Sequence, residues 1–597
     1  MTVTERVEAL RAQMKAAGIS AYVIPSADFH QSEYVGDHFK AREFISGFDG
    51  SAGTVVVTPE DARLWTDGRY FIQAAHQLAG SGISLMKMGT PGFPAVTEFL
   101  VTVLHDGDTL GFDGRLISMG EGLEFEEALA GKNVTIDYEK DLVDAVWKGR
   151  PPLANEKAWL HEEKYAGEST ASKVARVRAE MKKRGATSHV ITSLDDIGWL
   201  FNIRGNDVAY SPLVLGYAFL TEDRAYLFVD ADKLNSAILA NLGTVGTEVK
   251  PYNGIYEFIK TLSAEEKLLV DTMKINYAIY NNIPPGVTKI KAPNPSSLMK
   301  AMKNEVEARG MRSAQQKDAV AFAKFMYWLK TAVGKEDITE ISAEKKLDEF
   351  RAGQEGFMGP SFEPISAYGD HAAIVHYAPT LEEQYTLKAE GLYLSDTGGN
   401  YPEGTTDITR TFVLGTVTAE MKKHFTAVAR SMIGLSRAKF LRGCRGYNLD
   451  ILARLPMWEL GIDYKHGTGH GVGNLLNIHE GPTGFRWNIV PAKNETTPFE
   501  EGMYITDEPG IYIEGSHGIR LENELLVRKF AQSGDDTFLE FETMTFVPID
   551  LDGIIPEDLT GPERDFLNSY HAEVFARVSP YLSVEEAAWL RDYTKPV

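Results

Sequence analysis

A glycine-rich stretch in the last third of the chain holds two histidines at a fixed spacing. Residues His466 to Gly473 read HGTGHGVG, with two imidazoles four residues apart among four glycines. Each glycine disfavours a helix by up to ~1 kcal/mol relative to alanine. A strand and turn that pass close to a bulky group, such as a metal or a substrate, fit better. A glycine-rich loop with two incidental histidines is the alternative, and this motif alone does not exclude it.

Acidic residues that could complete a metal site lie on both sides of this stretch. Asp396 follows an apolar strand pattern, and Asp407 opens the next one, Ile408 to Leu414. Glycines lie between the two, so a hairpin can bring the carboxylates together. Glu508 and Glu522 follow later in the chain. The candidate ligands are therefore Asp396, Asp407, His470, Glu508 and Glu522.

Four carboxylates and one imidazole suit a site for two divalent cations. Such a site needs several anionic oxygens, some of them bridging, and a few neutral donors. The oxygen-rich set favours Mn²⁺ or Co²⁺ over a structural zinc of the thiolate type. Any one of these acids could be a surface residue, and Asp407 alone could be a turn residue or a cap. Their order, spacing and glycine-rich settings together favour the metal site.

Size and charge limit the classes of protein to consider. At 597 residues, the chain is long enough for two to four domains. A formal charge of −23 argues against a nucleic-acid partner. We expect no membrane span and no signal peptide, because the apolar runs are too short. The single cysteine, Cys444, excludes an intramolecular disulfide, and we therefore expect a cytoplasmic protein.

The front half of the chain alternates helices with short buried strands, which is typical of α/β domains. A helix pattern containing Val7, Leu10 and Met14 precedes a strand at residues 21–25. The same order restarts near residue 170, with a helix at 172–184 and a strand at 188–192. We interpret the second unit as a diverged repeat of the first. The pair Pro151-Pro152 marks a plausible linker.

The back half has a different pattern. Residues 297–335 are strongly helical, and Glu305, Glu307, Lys317 and Lys324 are expected on exposed positions. From residue 359 onward, alternating strands with intervening helices predict an α+β domain with a largely antiparallel sheet. Residues 561–593 are predicted to be helical. The predicted domains are 1–155, 156–300 and 301–597, the last ending in a C-terminal helical extension.

Several motifs in a fixed order resemble the pita-bread metallopeptidases. The resemblance spans essentially the whole chain and is strongest to aminopeptidase P (Xaa-Pro aminopeptidase) of the three-domain, cytosolic type. It implies two creatinase-like N-terminal α/β domains followed by a pita-bread catalytic domain. The motifs are FDGSAG at 48–53, TDGRY at 66–70, His376-Tyr377, DITR at 407–410, HGTGHGVG at 466–473, NIHEGP at 477–482, TDEPG at 506–510 and GIRLE at 518–522.

The resemblance implies a role for each candidate ligand. Asp396 would bind one metal, while Asp407 and Glu522 would bridge both. His470 and Glu508 would complete the shell of the second metal. A metal-bridging water or hydroxide would be the nucleophile, with Glu508 as the general base. The cofactors would be two divalent ions per chain, expected to be Mn²⁺, with Co²⁺ or Zn²⁺ as alternatives.

The resemblance also implies residues that contact the substrate. His376 and His479 match two histidines of which one binds the scissile peptide and the other stabilises the tetrahedral oxyanion. His466 would line the pocket for the proline of the substrate. Arg520 could brace a carboxylate or close the site, or it could form an ion pair behind the ligands. Arg69 matches an arginine of the first domain that could reach the cleft of its own or a partner chain.

The implied activity is release of the N-terminal residue from peptides with proline in the second position, by a chain that is a homodimer. Aromatic residues of the C-terminal helices could form its dimer contacts or could equally pack within their own domain, namely Phe566, Tyr570, Phe575, Tyr581 and Trp589. A prolidase, which cleaves Xaa-Pro dipeptides, is the alternative enzyme, although prolidases usually carry one N-terminal domain. A peptide-binding protein that kept the fold is a third possibility, which the intact ligand set argues against. The chain departs from the family pattern at Asp370-His371-Ala372, so the resemblance does not predict the structure of the loop before His376.

Overall fold

The computed structural model of the chain describes residues 1–490 and 495–597. These residues form two compact units. The first unit comprises residues 1–163 and 168–297, and the second comprises residues 164–167 and 298–597. Among the described residues, no helix is long and apolar enough to cross a membrane.

The first unit contains two six-stranded mixed sheets with the same topology. In each sheet the first strand of the repeat lies in the centre, with one antiparallel neighbour on one side and one parallel neighbour on the other. This identity of strand order and direction confirms the diverged repeat. In spatial order, the strands are Ser84–Lys87, Ala62–Thr66, Thr54–Val57, Ala21–Pro25, Thr109–Gly111 and Thr135–Asp137 in one sheet, and Thr247–Lys250, Ala225–Phe228, Tyr217–Thr221, Ser188–Ile191, Lys267–Val270 and Thr288–Lys291 in the other.

Helices connect these strands, as expected for α/β domains. The first helix runs over Val3–Ala17, begins at a capping box on Thr2 and ends at Gly18 in the left-handed region. The helix predicted at 172–184 begins earlier, at Thr170, because Ser169 caps it. The helices of this unit are Val3–Ala17, Ala41–Ser46, Phe71–Gln77, Val96–Val103, Met119–Leu129, Leu142–Val146, Thr170–Lys183, Leu194–Phe201, Ser236–Gly243, Ile255–Ile259 and Tyr277–Asn281.

The helical start of the second unit differs from the prediction in two respects. The predicted helix at 297–335 is two helices, Pro295–Ala301 and Glu305–Ala332. Asn304 separates them because its side chain caps the second helix. The expectation that Glu307 is exposed was wrong. Its carboxylate accepts a hydrogen bond from the Asn304 amide at 3.0 Å in the capping box, which buries the side chain.

The sheets of the second unit are antiparallel, as predicted for an α+β domain. The largest has six strands, in the order Lys439–Leu441, Asp536–Thr543, Asn523–Ser533, Tyr504–Asp507, Gly469–Gly471 and Glu480–Phe485. A three-stranded sheet contains Ile365–Tyr368, Leu392–Thr397 and Ile408–Val413. The remaining strands of this unit are Gly359–Pro360, Gly399–Tyr401, Gly404–Thr405, Gly510–Ile513 and His517–Arg520.

Long helices cover these sheets and close the core. Phe325 on the helix Glu305–Ala332 packs against Tyr393 and Phe412 of the three-stranded sheet. The predicted C-terminal helix is interrupted at residues 579–583. The helices of the second unit after Glu305–Ala332 are Glu340–Ala352, Ala419–Ser436, Gly446–Leu449, Ile451–Trp458, Gly561–Val578 and Val584–Tyr593.

Candidate metal centre

Two neighbouring strands present the first pair of candidate ligands. Asp396 lies on Leu392–Thr397, which pairs antiparallel with Ile408–Val413. Asp396 is opposite Thr409 in this register, and Asp407 directly precedes the second strand. The connection between them contains the short strands Gly399–Tyr401 and Gly404–Thr405, which also pair with each other. A hairpin therefore places the two carboxylates at one end of the strand pair, as the sequence predicts.

The other candidate ligands converge on this end. Ligand atoms of Asp407, His470 and Glu522 all lie within 4.8 Å of one another. His470 Nε2 is 3.5 Å from Asp407 Oδ2 and 3.7 Å from Glu508 Oε1. Segments from four separate parts of the domain thus supply an imidazole and several carboxylates to one small volume.

The chemistry of this cluster fits a divalent cation. Within the part of the chain that the structure describes, the buried Oδ1 of Asp396 and Oε1 of Glu522 have no hydrogen-bond partner. Such atoms are costly to bury unless something compensates them, and a cation would do so. The Nδ1–H of His470 donates to the Gly471 carbonyl at 2.9 Å, which leaves Nε2 facing the carboxylates. Orientation of a ligating imidazole by a backbone carbonyl is typical of metal sites.

Crowding of the acids shifts their proton affinities. Burial raises the pKa of Glu508 to about 7, against the opposing effects of His470 and Arg520. Burial likewise raises the pKa of Asp396 and of Glu522, with neighbouring carboxylates adding to the effect. For His470, burial lowers the pKa, but its hydrogen bond to Asp407 and the charge of Glu508 outweigh burial and raise it to about 9. Without a cation, the cluster therefore holds protons tightly.

A hydrogen-bonded chain connects the predicted substrate histidine His466 to the candidate ligand Asp396. The Arg520 guanidinium contacts Asp396 Oδ2 at 2.5 Å and donates to the Tyr512 hydroxyl at 2.8 Å. That hydroxyl is 2.8 Å from His466 Nε2. Arg520 thus holds the candidate ligand Asp396 through an ion pair. Tyr512 was not selected from the sequence, although it lies four residues after Glu508 on the strand Gly510–Ile513.

The other predicted site residues, His479, His376 and Arg69, have different neighbours in the structure. The ring of His479 meets that of His470 edge-on, with centroids 4.2 Å apart. His376 follows Val375, whose carbonyl accepts a hydrogen bond from Arg520 at 3.4 Å. Arg69 lies in the first unit, where its guanidinium contacts Asp67 at 2.8 Å. Its predicted contact with a substrate therefore stays a prediction.

The glycines of the motif at 466–473 serve the packing of strands. A Cβ on Gly469 would lie 1.9 Å from the Thr506 carbonyl oxygen, and one on Gly471 would lie 2.2 Å from that of Glu480. Both positions therefore require glycine because neighbouring backbone fills the space. The bulky group that we expected beside these glycines is the adjacent strand, while the imidazole of His470 faces the acidic cluster.

Comparison with known proteins places each part of the chain in a family. Residues 309–529 match the metallopeptidase family M24, and residues 537–597 match the C-terminal region of peptidase M24. Residues 6–145 and 149–307 each match a creatinase/prolidase N-terminal domain. The two matches in the front half agree with the repeated sheet topology.

Full-length relatives narrow this assignment. The chain is 39% identical to aminopeptidase P2 of Arabidopsis thaliana over all of this chain and 89% of that protein. It is 35% identical to an X-prolyl aminopeptidase from Caenorhabditis elegans, a cytosolic enzyme with a di-nuclear active site, over the full length of both, with a TM-score of 0.96. A Xaa-Pro dipeptidase from Bacillus anthracis, 23% identical, shares the fold over 64% of this chain and 99% of its own, with a TM-score of 0.50. The chain belongs to the aminopeptidase P (Xaa-Pro aminopeptidase) family of M24 metallopeptidases.

Proposed function

We propose that this chain is a metal-dependent aminopeptidase that releases the N-terminal residue from peptides with proline in the second position. The observation that carries the proposal is the convergence of Asp407, His470 and Glu522 within 4.8 Å. The full-length similarity to Xaa-Pro aminopeptidases supports the choice of substrate. An Xaa-Pro bond is a tertiary amide without an N–H group, so it needs a dedicated enzyme.

Five residues would hold two divalent ions, which we propose to be Mn²⁺. Asp396 would bind one ion, Asp407 and Glu522 would bridge both, and His470 and Glu508 would bind the other. When bound, such ions lower the pKa of a water molecule and polarise a carbonyl group. Oxygen-rich coordination supports Mn²⁺ over a metal that prefers thiolates.

Glu508 is the proposed general base. Burial raises the pKa of its carboxylate to about 7 in the metal-free chain, and a carboxylate beside the attacking water can take a proton from it. Its backbone is fixed because the Glu508 amide donates to the Thr468 carbonyl at 2.7 Å. The carboxylate would take a proton from the attacking water and pass it to the proline nitrogen that leaves.

Histidines around the centre would bind the peptide. His376 and His479 are proposed to hold the scissile peptide and to donate to the oxygen on which negative charge develops. His466 is proposed to line the proline pocket. Burial lowers its pKa well below the ordinary value, so a neutral imidazole meets the apolar ring of proline. Arg520 would keep Asp396 in place through their ion pair.

We also propose a cytoplasmic homodimer, but with contacts other than those predicted. Phe566, Phe575 and Trp589 pack on the domain core and Tyr570 is buried within it, whereas Tyr581 is 63% exposed. An exposed apolar face lies instead on the helix Ile451–Trp458, where four of eight residues are exposed hydrophobics: Ile451, Leu452, Leu455 and Trp458. Their spacing puts them on one face, which we propose to meet a second copy of the chain. The single cysteine supports a reducing compartment.

Turnover of matched peptides tests the proposed activity. Metal-stripped protein should be inactive, and Mn²⁺ should restore hydrolysis of Xaa-Pro-Xaa tripeptides with release of the first residue. Preferential cleavage of Xaa-Pro dipeptides would indicate a prolidase instead. Tight binding of tripeptides by Mn²⁺-loaded protein without turnover would indicate a peptide-binding protein.

A further inference from the structure

A fully buried arginine lies directly behind the candidate metal ligands. Arg410 has no exposed surface, and its guanidinium donates to six oxygens that are carbonyl, amide or phenol groups. The acceptors are the carbonyls of Thr409 (2.8 Å), Glu522, Val547 (2.8 Å) and Pro548 (3.2 Å), Asn523 Oδ1 (2.8 Å) and the Tyr570 hydroxyl (2.9 Å).

Burying a cation among neutral acceptors is costly, so its position is informative. A buried charge is tolerated when hydrogen bonds satisfy it, and here every nitrogen of the guanidinium donates to the protein. A planar guanidinium with five donors in a rigid fork fixes its acceptors relative to one another. Arg410 therefore ties together the segments that contact it.

Two of those segments carry proposed bridging ligands. Thr409 lies two residues after Asp407, and the same Nη1 that donates to its carbonyl also donates to the carbonyl of Glu522. The contact is reinforced because the Thr409 hydroxyl donates to Glu522 Oε2 at 2.8 Å. The Glu522 amide also donates to the Thr409 carbonyl at 3.1 Å. Arg410 thus fixes the separation of the Asp407 and Glu522 carboxylates from behind.

The other side of the guanidinium contacts the C-terminal segment, residues 537–597. Val547 and Pro548 supply carbonyls to it, and Tyr570 supplies its hydroxyl from the helix Gly561–Val578. That hydroxyl also donates to the Val547 carbonyl at 2.6 Å. The C-terminal segment is therefore the anchor on which Arg410 holds the two ligand-bearing segments.

We propose that Arg410 and Tyr570 are positioning residues through which the C-terminal segment sets the affinity of the centre for divalent ions. The inference rests on the proposed dinuclear site, because the spacing of Asp407 and Glu522 matters most where both carboxylates bridge two ions. Residues that orient metal ligands from behind typically change metal affinity by about 10–100-fold when replaced.

Metal titration of full-length, metal-depleted variants tests the proposal. Arg410→Lys keeps the charge but cannot span both sides, and Tyr570→Phe removes one hydroxyl. Calorimetry should show a loss of about 10-fold or more in Mn²⁺ affinity for at least one ion in each variant. Electron paramagnetic resonance should show isolated rather than spin-coupled Mn²⁺. Tyr593→Phe is the matched control, because its hydroxyl contacts Asp552 in the same segment, and it should bind Mn²⁺ as the unmodified chain does.

Unchanged Mn²⁺ affinity in folded Tyr570→Phe and Arg410→Lys would overturn the proposal. If Arg410→Lys does not fold, the Mn²⁺ affinity of Tyr570→Phe alone tests the proposal. The unmodified chain offers a second measurement, because coupling between two sites is reciprocal. Mn²⁺ should slow amide hydrogen exchange in residues 545–550 and 561–578 but not in the first helix, Val3–Ala17. Equal exchange with and without bound Mn²⁺ would also overturn it. A chain that binds no divalent ion at all would instead refute the proposed function.

Discussion

Individual side chains of the centre divide into those that would hold ions and those that would hold the peptide. We propose Asp407 and Glu522, whose ligand atoms lie close to that of His470, for the first group, and His479, whose ring meets that of His470 edge-on, for the second. This division gives a prediction that separates the two roles by measurements of metal content and of rate.

Replacement of Glu522 by alanine should remove both ions, because the residue would bridge them and its buried Oε1 has no hydrogen-bond partner among the described residues. The same holds for Asp407→Ala. His376→Ala and His479→Ala should keep their metal and lose roughly 10²-fold or more in kcat, the scale of a lost oxyanion donor. Metal analysis and peptide turnover of purified variants check both statements. Depleted metal in the histidine variants, or full activity in Glu522→Ala, would contradict the assigned roles.

The proton affinities of the same residues predict how stability responds to pH. In the metal-free chain, Asp396, Glu508 and Glu522 have raised pKa values. The folded state then binds protons more tightly than the unfolded state, so the free energy of unfolding falls as pH rises from the ordinary carboxylate pKa through about 7. His470, with a pKa of about 9, acts in the same direction at higher pH.

Bound Mn²⁺ should abolish this loss, because the ion replaces the protons. We therefore expect the increase in Tm on adding Mn²⁺ to be larger near pH 8 than near pH 5.5, as measured by calorimetry at matched ionic strength. Glu522→Ala, which should not bind the ions, is the control and should show no Mn²⁺ effect at either pH. An equal increase at both pH values in the unmodified chain would count against the cluster as the binding site.

At the scale of elements, close backbone contacts hold the loop that carries His376. A Cβ on Gly518 would lie 1.8 Å from the carbonyl oxygen of Ala372. The backbone of the strand His517–Arg520 therefore packs directly against that of the turn Gly369–Ala373. Glu340 holds the other side of this loop, because its buried carboxylate accepts from His371, Tyr377 and two backbone amides. The local departure at Asp370-His371-Ala372 is thus a packed structure in which His371 stacks on Tyr385.

Gly518→Ala should separate this strand from the turn. The added methyl has no space, and overpacking of this kind costs about 1–3 kcal/mol. We expect a lower Tm and a reduced kcat, because Arg520 lies on the strand and His376 follows the turn by three residues. Gly561→Ala is the matched control, since a Cβ there meets nothing within 4 Å. Thermal unfolding and peptide turnover give the comparison, and a Gly518→Ala chain as stable and as active as Gly561→Ala would refute the argument.

Much of the element structure could be predicted from local patterns. The hairpin between Asp396 and Asp407, the repeated α/β units and the antiparallel back half follow from strand periodicity and glycine positions. The burial of Glu307 could not, because a capping box depends on where the preceding helix stops. Arg410 was missed as a site component because its hydrogen bonds join segments more than a hundred residues apart. Tyr512 was missed because its bonds to His466 and Arg520 depend on how separate strands are placed. Only the folded chain shows those contacts.

For the whole molecule, the distribution of exposed apolar residues predicts which surface two copies of the chain would share in the proposed dimer. Leu455 is 51% exposed on the helix Ile451–Trp458, in a face with Ile451, Leu452 and Trp458. Half of the residues of this short helix are large, apolar and exposed. Such an apolar patch is unusual on a surface that contacts only water. On the C-terminal helices, for which the sequence left a dimer contact and packing within the domain equally open, most aromatic side chains are used in the core of their own domain.

Leu455→Glu should convert the dimer to a monomer, because a charge buried at the centre of an apolar contact is unpaired. Val584→Glu serves as the control. Val584 is 88% exposed at the start of the helix Val584–Tyr593, so the same charge is added to the C-terminal surface. Light scattering of both variants and the unmodified chain distinguishes the two surfaces. A monomeric Val584→Glu with a dimeric Leu455→Glu would return the contact to the C-terminal helices. A monomeric unmodified chain with full activity would refute the dimer itself.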